Sequence, residues 1–294
     1  MDWSNSDQQS FFENVLLTAF GKNLAVQGYH FLSGGCINNA VRLDTTEGQY
    51  FLKWNQINMA DMFERESEGL KCLACAESIQ VPKPISFGSY QDYSYLLLEY
   101  LPEHRRSTAY WQKLGEGLAQ LHAHTQSSFG FEHDNYIGRL EQKNMFTDSW
   151  IDFFVEHRLE VQLGLALYNG CVDDAFMSRF RRLYPKLPEL LPEEKPALLH
   201  GDLWSGNVMP GHHGEPAIFD PAVYFGHREI ELAFTQLFGG FDQEFYLSYN
   251  DTFPLIPGFD ERVDIYNLYP LLVHVNLFGT SYLSGIERTL RKYL

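Results

Sequence analysis

Apolar residues recur at helical spacing near the start of the chain. Phe11, Phe12, Val15, Leu16 and Phe20 mark one face of a helix over Ser6–Phe20. The rhythm then shortens. Between Ala25 and Trp54, Val41 and Leu43 alternate with polar neighbours, Glu47-Gly48 makes a turn, and Tyr50, Phe51 and Leu52 answer across it, which predicts a hairpin. Helical spacing returns over Met59–Ala76, and Pro82-Lys83-Pro84 ends it. Two short strands follow, Ile85–Phe87 and Ser94–Leu98, and then a linker, Pro102-Glu103-His104-Arg105-Arg106. Beyond the linker the period is helical again, first through Trp111, Leu114, Leu118, Leu121 and His122, then through Trp150, Phe153, Phe154, His157 and Leu159. Residues 197–220 interrupt with short strands and Gly-rich turns, and helices resume from about Glu229. The pattern predicts an α+β chain of two lobes: a strand-rich N-lobe over 1–101, closing in a hinge at 98–101, and a mainly helical C-lobe over 102–294. A ligand cleft is expected between such lobes.

Composition adds constraints to this outline. A chain of 294 residues with 45% hydrophobic and 20% charged residues can fill two cores. Its formal charge of −16 repels nucleic acid and anionic membranes, so neither is expected as a partner. The same charge repels a nucleotide at long range, which requires any nucleotide site to be locally basic or metal-filled, and it favours a cationic co-substrate. Four cysteines, Cys36, Cys72, Cys75 and Cys171, are too few for a disulfide framework. Residues Met1–Asp7 carry no leader pattern and no run reaches the roughly 18 apolar residues of a spanning helix. The expectation is a cytoplasmic location.

The chemistry concentrates in His200-Gly201-Asp202-Leu203-Trp204-Ser205-Gly206-Asn207, entered from the apolar run Ala197-Leu198-Leu199. A second run, Ala217-Ile218-Phe219, leads into Asp220. A carboxylate five residues before an amide can turn one group to an acceptor hydroxyl and the other to a metal, and Asp220 would add a second, stronger metal ligand. Kinase-like folds place a base and two metal ligands around a nucleotide phosphate in this order. Upstream, Ser33-Gly34-Gly35-Cys36-Ile37-Asn38-Asn39 lies between two predicted strands, where glycines let backbone N–H groups cradle phosphate. A plain hairpin turn would read the same way. Lys53 ends the next strand, and the helix after it offers Glu64, Glu66 and Glu68 as partners. Leu96–Leu101 runs into the linker.

Other tempting residues read as structural. Cys72 and Cys75 have metal-like spacing but no second pair, which leaves a helix packing face. His212-His213 lies between Gly211 and Gly214 as a hairpin tip. His122 and His124 end a helix, where capping or solvent contact is expected, and Glu193-Glu194 reads as a solvated turn. Cys36 stands apart: N–H groups converging on a phosphate cradle would stabilise its thiolate, and a redox-sensitive homodimer then stands beside a monomer as an expectation.

In this order the motifs resemble the fructosamine kinase (ketosamine 3-kinase) family, a branch of the protein-kinase-like fold near the aminoglycoside and choline phosphotransferases. The resemblance covers nearly the whole chain. It is carried by Gly34-Gly35-Cys36-Ile37-Asn38, by Asp134-Asn135-Tyr136-Ile137-Gly138, by the 200–207 segment, and by the run from Phe219 through Asp220-Pro221-Ala222-Val223-Tyr224 to Glu229. It implies ATP and Mg²⁺ as cofactors and a ketosamine acceptor, such as a ribulosamine or fructosamine, phosphorylated at O3. The product would fall back to the free amine, a deglycation. It implies Asp202 as base, Asn207 and Asp220 as Mg²⁺ ligands, and Lys53 with Glu66 on the phosphates. Glu99, Tyr100 and Leu101 would meet the adenine. Trp204 would stack on the sugar, while Asp134, Asn135 and Tyr136 would shape the acceptor side. Gly201 stands where protein kinases carry arginine, and no Ala-Pro-Glu segment follows, which argues against peptide substrates and loop phosphorylation. The alternatives are another small-molecule kinase of the same fold, for an aminoglycoside, choline or amino alcohol, and a non-catalytic nucleotide-binding protein.

Overall fold

The computed structural model describes residues 5–32, 38–56 and 61–294, with the side chains of residues 5 and 6 left aside. The chain forms two compact units, one of Met1–Thr108 with Met209–Asp220, the other of Ala109–Val208 with Pro221–Leu294.

The first unit opens with helix α1 (Asn5–Phe20), then strands β1 (Val26–Phe31), β2 (Asn39–Thr45) and β3 (Gly48–Gln56), helix α2 (Met62–Ala74), and strands β4 (Pro84–Tyr90) and β5 (Tyr93–Glu99). The five strands form one antiparallel sheet in the order β1-β2-β3-β5-β4. Phe11, Phe12, Val15 and Leu16 of α1 are fully buried with Val41, Leu43, Leu52 and Trp54. Each such side chain contributes roughly 1.5–3 kcal/mol by leaving water. The two-residue period of a strand decides the rest. Leu52 and Trp54 pack in the α1 cluster, so Lys53 between them is turned to the opposite face, where α2 lies. β4 begins at Pro84, which an edge strand tolerates because no ladder donor is needed there. The Met59 start expected for the second helix lies outside the described residues.

The second unit contains helix α3 (Tyr110–His122), strands β6 (Asn135–Ile137) and β7 (Leu140–Gln142), and helix α4 (Trp150–Phe153), which continues through a π-helical stretch, Phe154–Leu159, into α5 (Glu160–Tyr168). Helices α6 (Asp174–Arg181) and α7 (Leu187–Leu190) lead to strand β8 (Ala197–Leu199). Strands β9 (Val208–Pro210) and β10 (Pro216–Ile218) form the hairpin whose residues from Met209 on belong to the first unit. Strand β11 (Tyr224–Gly226) pairs antiparallel with β8, Tyr224 opposite Leu199. Helices α8 (Arg228–Leu237), α9 (Gln243–Thr252), α10 (Phe259–Tyr266), α11 (Leu268–Phe278) and α12 (Leu283–Tyr293) complete the unit.

The sequence boundary at 101/102 falls short of the compact unit, and the reason is a set of backbone bonds. His104 and Ser107 donate to Pro210 O and Gly214 O, both at 3.0 Å, and Ile218 donates to Gln80 O at 2.9 Å. The presumed linker is thereby tied to the β9–β10 hairpin, and Asp220 at its end joins the first unit rather than the helical one. Among the described residues no helix is long and apolar enough to cross a membrane.

Candidate active site

In the first unit, Lys53 is buried in the middle of the sheet. Its ammonium forms an ion pair with Glu66 of α2 and lies 2.8 Å from Asp220 Oδ1. Glu66 shares the inner face of α2 with Phe63, Leu70 and Leu73, whereas Glu68 pairs outward with Arg65 at 2.7 Å. Burial alone would discharge Lys53, but the charges of Asp220 and Glu66 outweigh it and raise its pKa. Burial also pushes Glu66 up, and the Asp220 charge adds to that against the pull of Lys53, bringing it to about 7. One ammonium shared by two carboxylates leaves a site short of positive charge. Asp220 is the exposed member, with its side chain 46% accessible. Its backbone is left-handed (φ 56°) immediately before Pro221, a strained conformation that aspartate tolerates better than most residues.

The second unit holds Asp202 and Asn207. β8 delivers His200, and the chain turns at Gly201, whose φ is +84° and where a Cβ would stand 2.0 Å from Ala222 O. No side chain fits that space, which accounts for the missing arginine. Asn207 Nδ2 donates to Asp202 O at 2.8 Å and to Asp202 Oδ2 at 3.0 Å. Both bonds use the amide nitrogen, so the oxygen a cation would need is not consumed by them. Trp204 is 39% exposed. Its ring lies against Gly206, where a Cβ would come within 2.3 Å of it.

The turn is held from beneath by residues the sequence reading missed. Glu231 of α8 is buried and accepts the N–H of Gly201 at 2.6 Å and of His200 at 3.1 Å. Its carboxylate also meets His122 Nε2 at 2.9 Å, while His122 Nδ1 lies 2.8 Å from the Tyr249 hydroxyl. Burial raises the Glu231 pKa, but His122, His200 and the Gly201 N–H together bring it below the ordinary value. His122 is therefore a fully buried brace and not a solvent-facing cap. Glu194 is likewise no solvated turn residue, since it binds Arg228 through two 2.8 Å hydrogen bonds. Glu193 beside it is exposed. The only sequence signal for these groups was their placement on apolar faces of helices or beside an apolar run.

Asn135 braces rather than binds. It is buried, donates to Val223 O at 2.8 Å, and accepts from Gln142 and Asn144 at 2.8 and 2.9 Å. It can shape the acceptor side only through the backbone of 222–223. Asp134 is held by Lys143 Nζ at 2.9 Å and by the Asn144 N–H at 2.8 Å, and Tyr136 is half-buried on β6. Behind them Arg158 is fully buried, 3.9 Å over the Tyr224 ring, with Asn144 Oδ1 at 2.9 Å. Tyr269 donates to Gln142 at 2.7 Å. Burial keeps its phenol protonated against the pull of Arg158, and the nearby charge of Asp202 acts in the same direction as burial.

Of the remaining candidates, Gly34, Gly35, Cys36 and Ile37 lie outside the described residues. Asn38 Oδ1 accepts from Asn55 at 2.9 Å. At the end of β5 the Glu99 N–H is already given to Lys83 O (3.0 Å), Tyr100 carries Arg42 on its ring at 5.6 Å, and Leu101 is buried. Cys75 is exposed and Cys72 half-buried, so the cysteine pair makes no packed face. His212 and His213 do sit at the β9–β10 tip. Among the described residues no group of three His, Cys, Asp or Glu side chains could hold a metal unaided.

A strand lysine held by a helix glutamate, and an Asp–Asn pair on the loop after a short strand, define a phosphotransferase of the protein-kinase-like fold. Comparison narrows the class. The sequence pattern of the fructosamine kinase family matches residues 9–294. The chain is 43% identical over 278 residues to a probable ketoamine kinase of Synechocystis, covering 93% of this chain and 92% of the relative. It is 39% identical over 279 residues to the chloroplastic protein-ribulosamine 3-kinase of Oryza sativa subsp. indica, covering 93% and 81%. A crystal structure named for a fructosamine-3-kinase of Haemophilus somnus superposes with a TM-score of 0.85 at 30% identity, over 96% of each chain. The chain belongs to the fructosamine kinase family. These similarities favour ketosamine phosphorylation over the aminoglycoside, choline and non-catalytic alternatives.

Proposed function

We propose that the protein is an ATP- and Mg²⁺-dependent kinase that phosphorylates a hydroxyl of ketosamines, O3 in ribulosamines or fructosamines, free or attached to protein. The observation that carries this reading is the Asp202–Asn207 pair, fixed at 2.8 and 3.0 Å on a turn that only glycine permits. Asp202 takes the proton from the acceptor hydroxyl as its oxygen attacks the γ-phosphorus, and ADP leaves with the bridging oxygen. Lys53, steadied by Glu66, receives the charge of the nucleotide phosphates. Asn207 and Asp220 would hold Mg²⁺, which, when bound, neutralises charge on the phosphates. Tyr100 and Leu101, just past the end of β5, would meet the adenine edge, because the Glu99 N–H is engaged. The exposed face of Trp204 suits the C–H edges of a sugar. A cytoplasmic site of action belongs to the same reading, four cysteines in 294 residues being too few for a disulfide framework. Nucleic acid is no partner for a chain of charge −16.

The test is direct. The pure protein is incubated with Mg-ATP and a ribulosamine, a fructosamine, an aminoglycoside or choline, and the products are weighed by mass spectrometry. The expected result is one added phosphoryl group on the ketosamines and none on the others. Phosphorylation of an aminoglycoside or choline alone would overturn the substrate assignment.

A further inference from the structure

Five rings gather beside the pocket that Asp202 lines. Phe234 comes from α8 and Phe238 caps its end, His274 and Phe278 come from α11, and Tyr282 from the turn after it. His274 sits among the others, with ring centroids 4.6 Å from Phe238, 5.0 Å from Tyr282, 5.4 Å from Phe278 and 6.5 Å from Phe234. A core cluster would be closed to water, but here Phe278 is 52% exposed, and Phe238, His274 and Tyr282 are only partly covered. Pro270, His274 and Phe278 are spaced by four and share one face of α11. Pro270 and His274 line the pocket together with Phe234, Glu231, Gly201 and Asp202, so rings and pocket are continuous. That pocket measures about 30 Å³, room for roughly two waters or one compact polar group and too little for a sugar ring.

The imidazole is preset. Nδ1 lies 2.7 Å from Pro270 O, and a carbonyl only accepts, so Nδ1 carries the proton. Burial, against the pull of that carbonyl, lowers the His274 pKa and keeps the ring neutral. Nε2 is then a lone-pair acceptor, and among the described residues nothing donates to it. A neutral acceptor ringed by aromatic faces and edges suits an alkylammonium: one N–H to bond, a positive charge for the π-faces, and a carbon stem for the apolar surface.

We propose that Phe238, His274, Phe278 and Tyr282 form the subsite for the amine side of the acceptor, taking the protonated secondary amine at Nε2 of His274 and the first carbons of the attached chain on the rings. The inference rests on the ketosamine reading and extends it to the group the sugar is attached to. In a ketosamine the amine sits on C1 and the reacting oxygen on C3, two carbons apart. A single pocket lined by both Asp202 and His274 matches that short separation. The occupant is thus a sugar linked to an alkylamine such as a lysine side chain, and the acidic chain as a whole draws such a cation in.

The experiment compares two acceptors, Nε-ribulosyl-lysine blocked at its α-amine and 1-amino-1-deoxyribulose, which lacks the chain. In Phe278→Ala the ratio of the KM values for the two is expected to shift about tenfold against the lysine-linked acceptor, with kcat for that acceptor within twofold. His274→Gln, which keeps an acceptor atom, should retain more of the lysine-linked activity than His274→Leu. Melting temperatures of all variants are measured in parallel, and Phe278, half in solvent, should leave the fold unchanged. If the unsubstituted protein phosphorylates neither acceptor, the ketosamine reading fails and the subsite with it. If it phosphorylates both and Phe278→Ala moves the two KM values equally or not at all, the subsite alone is overturned.

Discussion

At the residue scale, the roles separate into groups that would act and groups that hold them. Asp202→Asn keeps the hydrogen-bonding shape of the turn but removes the carboxylate proposed as the base. Turnover should fall by about 10³-fold or more while nucleotide binding, followed by calorimetry, stays within a few fold. Gly201→Ala tests the turn itself. A methyl group 2.0 Å from Ala222 O and a left-handed φ should together cost about 2–4 kcal/mol in urea unfolding. Retention of full stability would mean the turn can re-form around a side chain. The groups proposed to act stand out in the sequence because their spacing is local: Asp202 and Asn207 lie five residues apart, and Lys53 follows a turn and precedes a helix of glutamates. The holding groups do not. His122, Glu231 and Arg158 are buried and Glu194 half-buried, their partners lie 30 to 127 residues away or, for Arg158, in an irregular loop, and no periodicity announces such a pairing. An isolated histidine at a helix end looks the same whether it meets water or a carboxylate.

At the element scale, α8 is the platform. Its first turns carry Arg228, Glu229 and Glu231, all buried, and each reaches a different part of the second unit. Glu229 is paired with Arg262 of α10, Arg228 with Glu194, and Glu231 with the turn at Gly201. Glu231→Gln leaves one acceptor where two were used, and the unfolding free energy should drop by about 1–3 kcal/mol. The sign of the pH effect follows from the same contacts. Burial opposes the charges on Glu194 and Glu231, yet Arg228 for the first and His122 for the second hold each folded pKa below the ordinary 4.5. Their contribution is complete above that value and is lost as pH falls through it, because the unfolded chain takes up protons first. The urea midpoint should therefore fall as the pH is lowered from about 5 to about 3, and Glu231→Gln should flatten that fall. Periodicity found α1, α3 and the β2–β3 hairpin, each with a clear apolar face. The short strands expected over 197–220 are there as β8, β9 and β10, but the π-helical stretch 154–159 and strands β6, β7 and β11 went unseen, since they are set by tertiary contacts such as Arg158 under Tyr224 and have too few residues to show a period.

At the scale of the whole molecule, the charge of −16 acts on both substrates with opposite signs. Raising ionic strength from about 0.02 to 0.3 M shortens the Debye length from roughly 20 Å to 6 Å. kcat/KM for a cationic ketosamine should fall over that range and kcat/KM for the nucleotide should rise, measured with the other substrate saturating. Equal responses would show that the net charge does not steer either one. The chain passes between its two units after Thr108, after Val208 and after Asp220, and the third crossing has a property the others lack. Position 220 must satisfy a backbone demand and a charge demand at once: a left-handed residue ahead of proline, and an anion for the buried ammonium. Asparagine meets the first demand and not the second, glycine likewise with greater looseness, and glutamate the reverse. Asp220→Asn is thus the change that strips charge from this corner without disturbing its shape, and a selection run at this codon for folding alone should return aspartate, asparagine and glycine, while one run for activity should return aspartate.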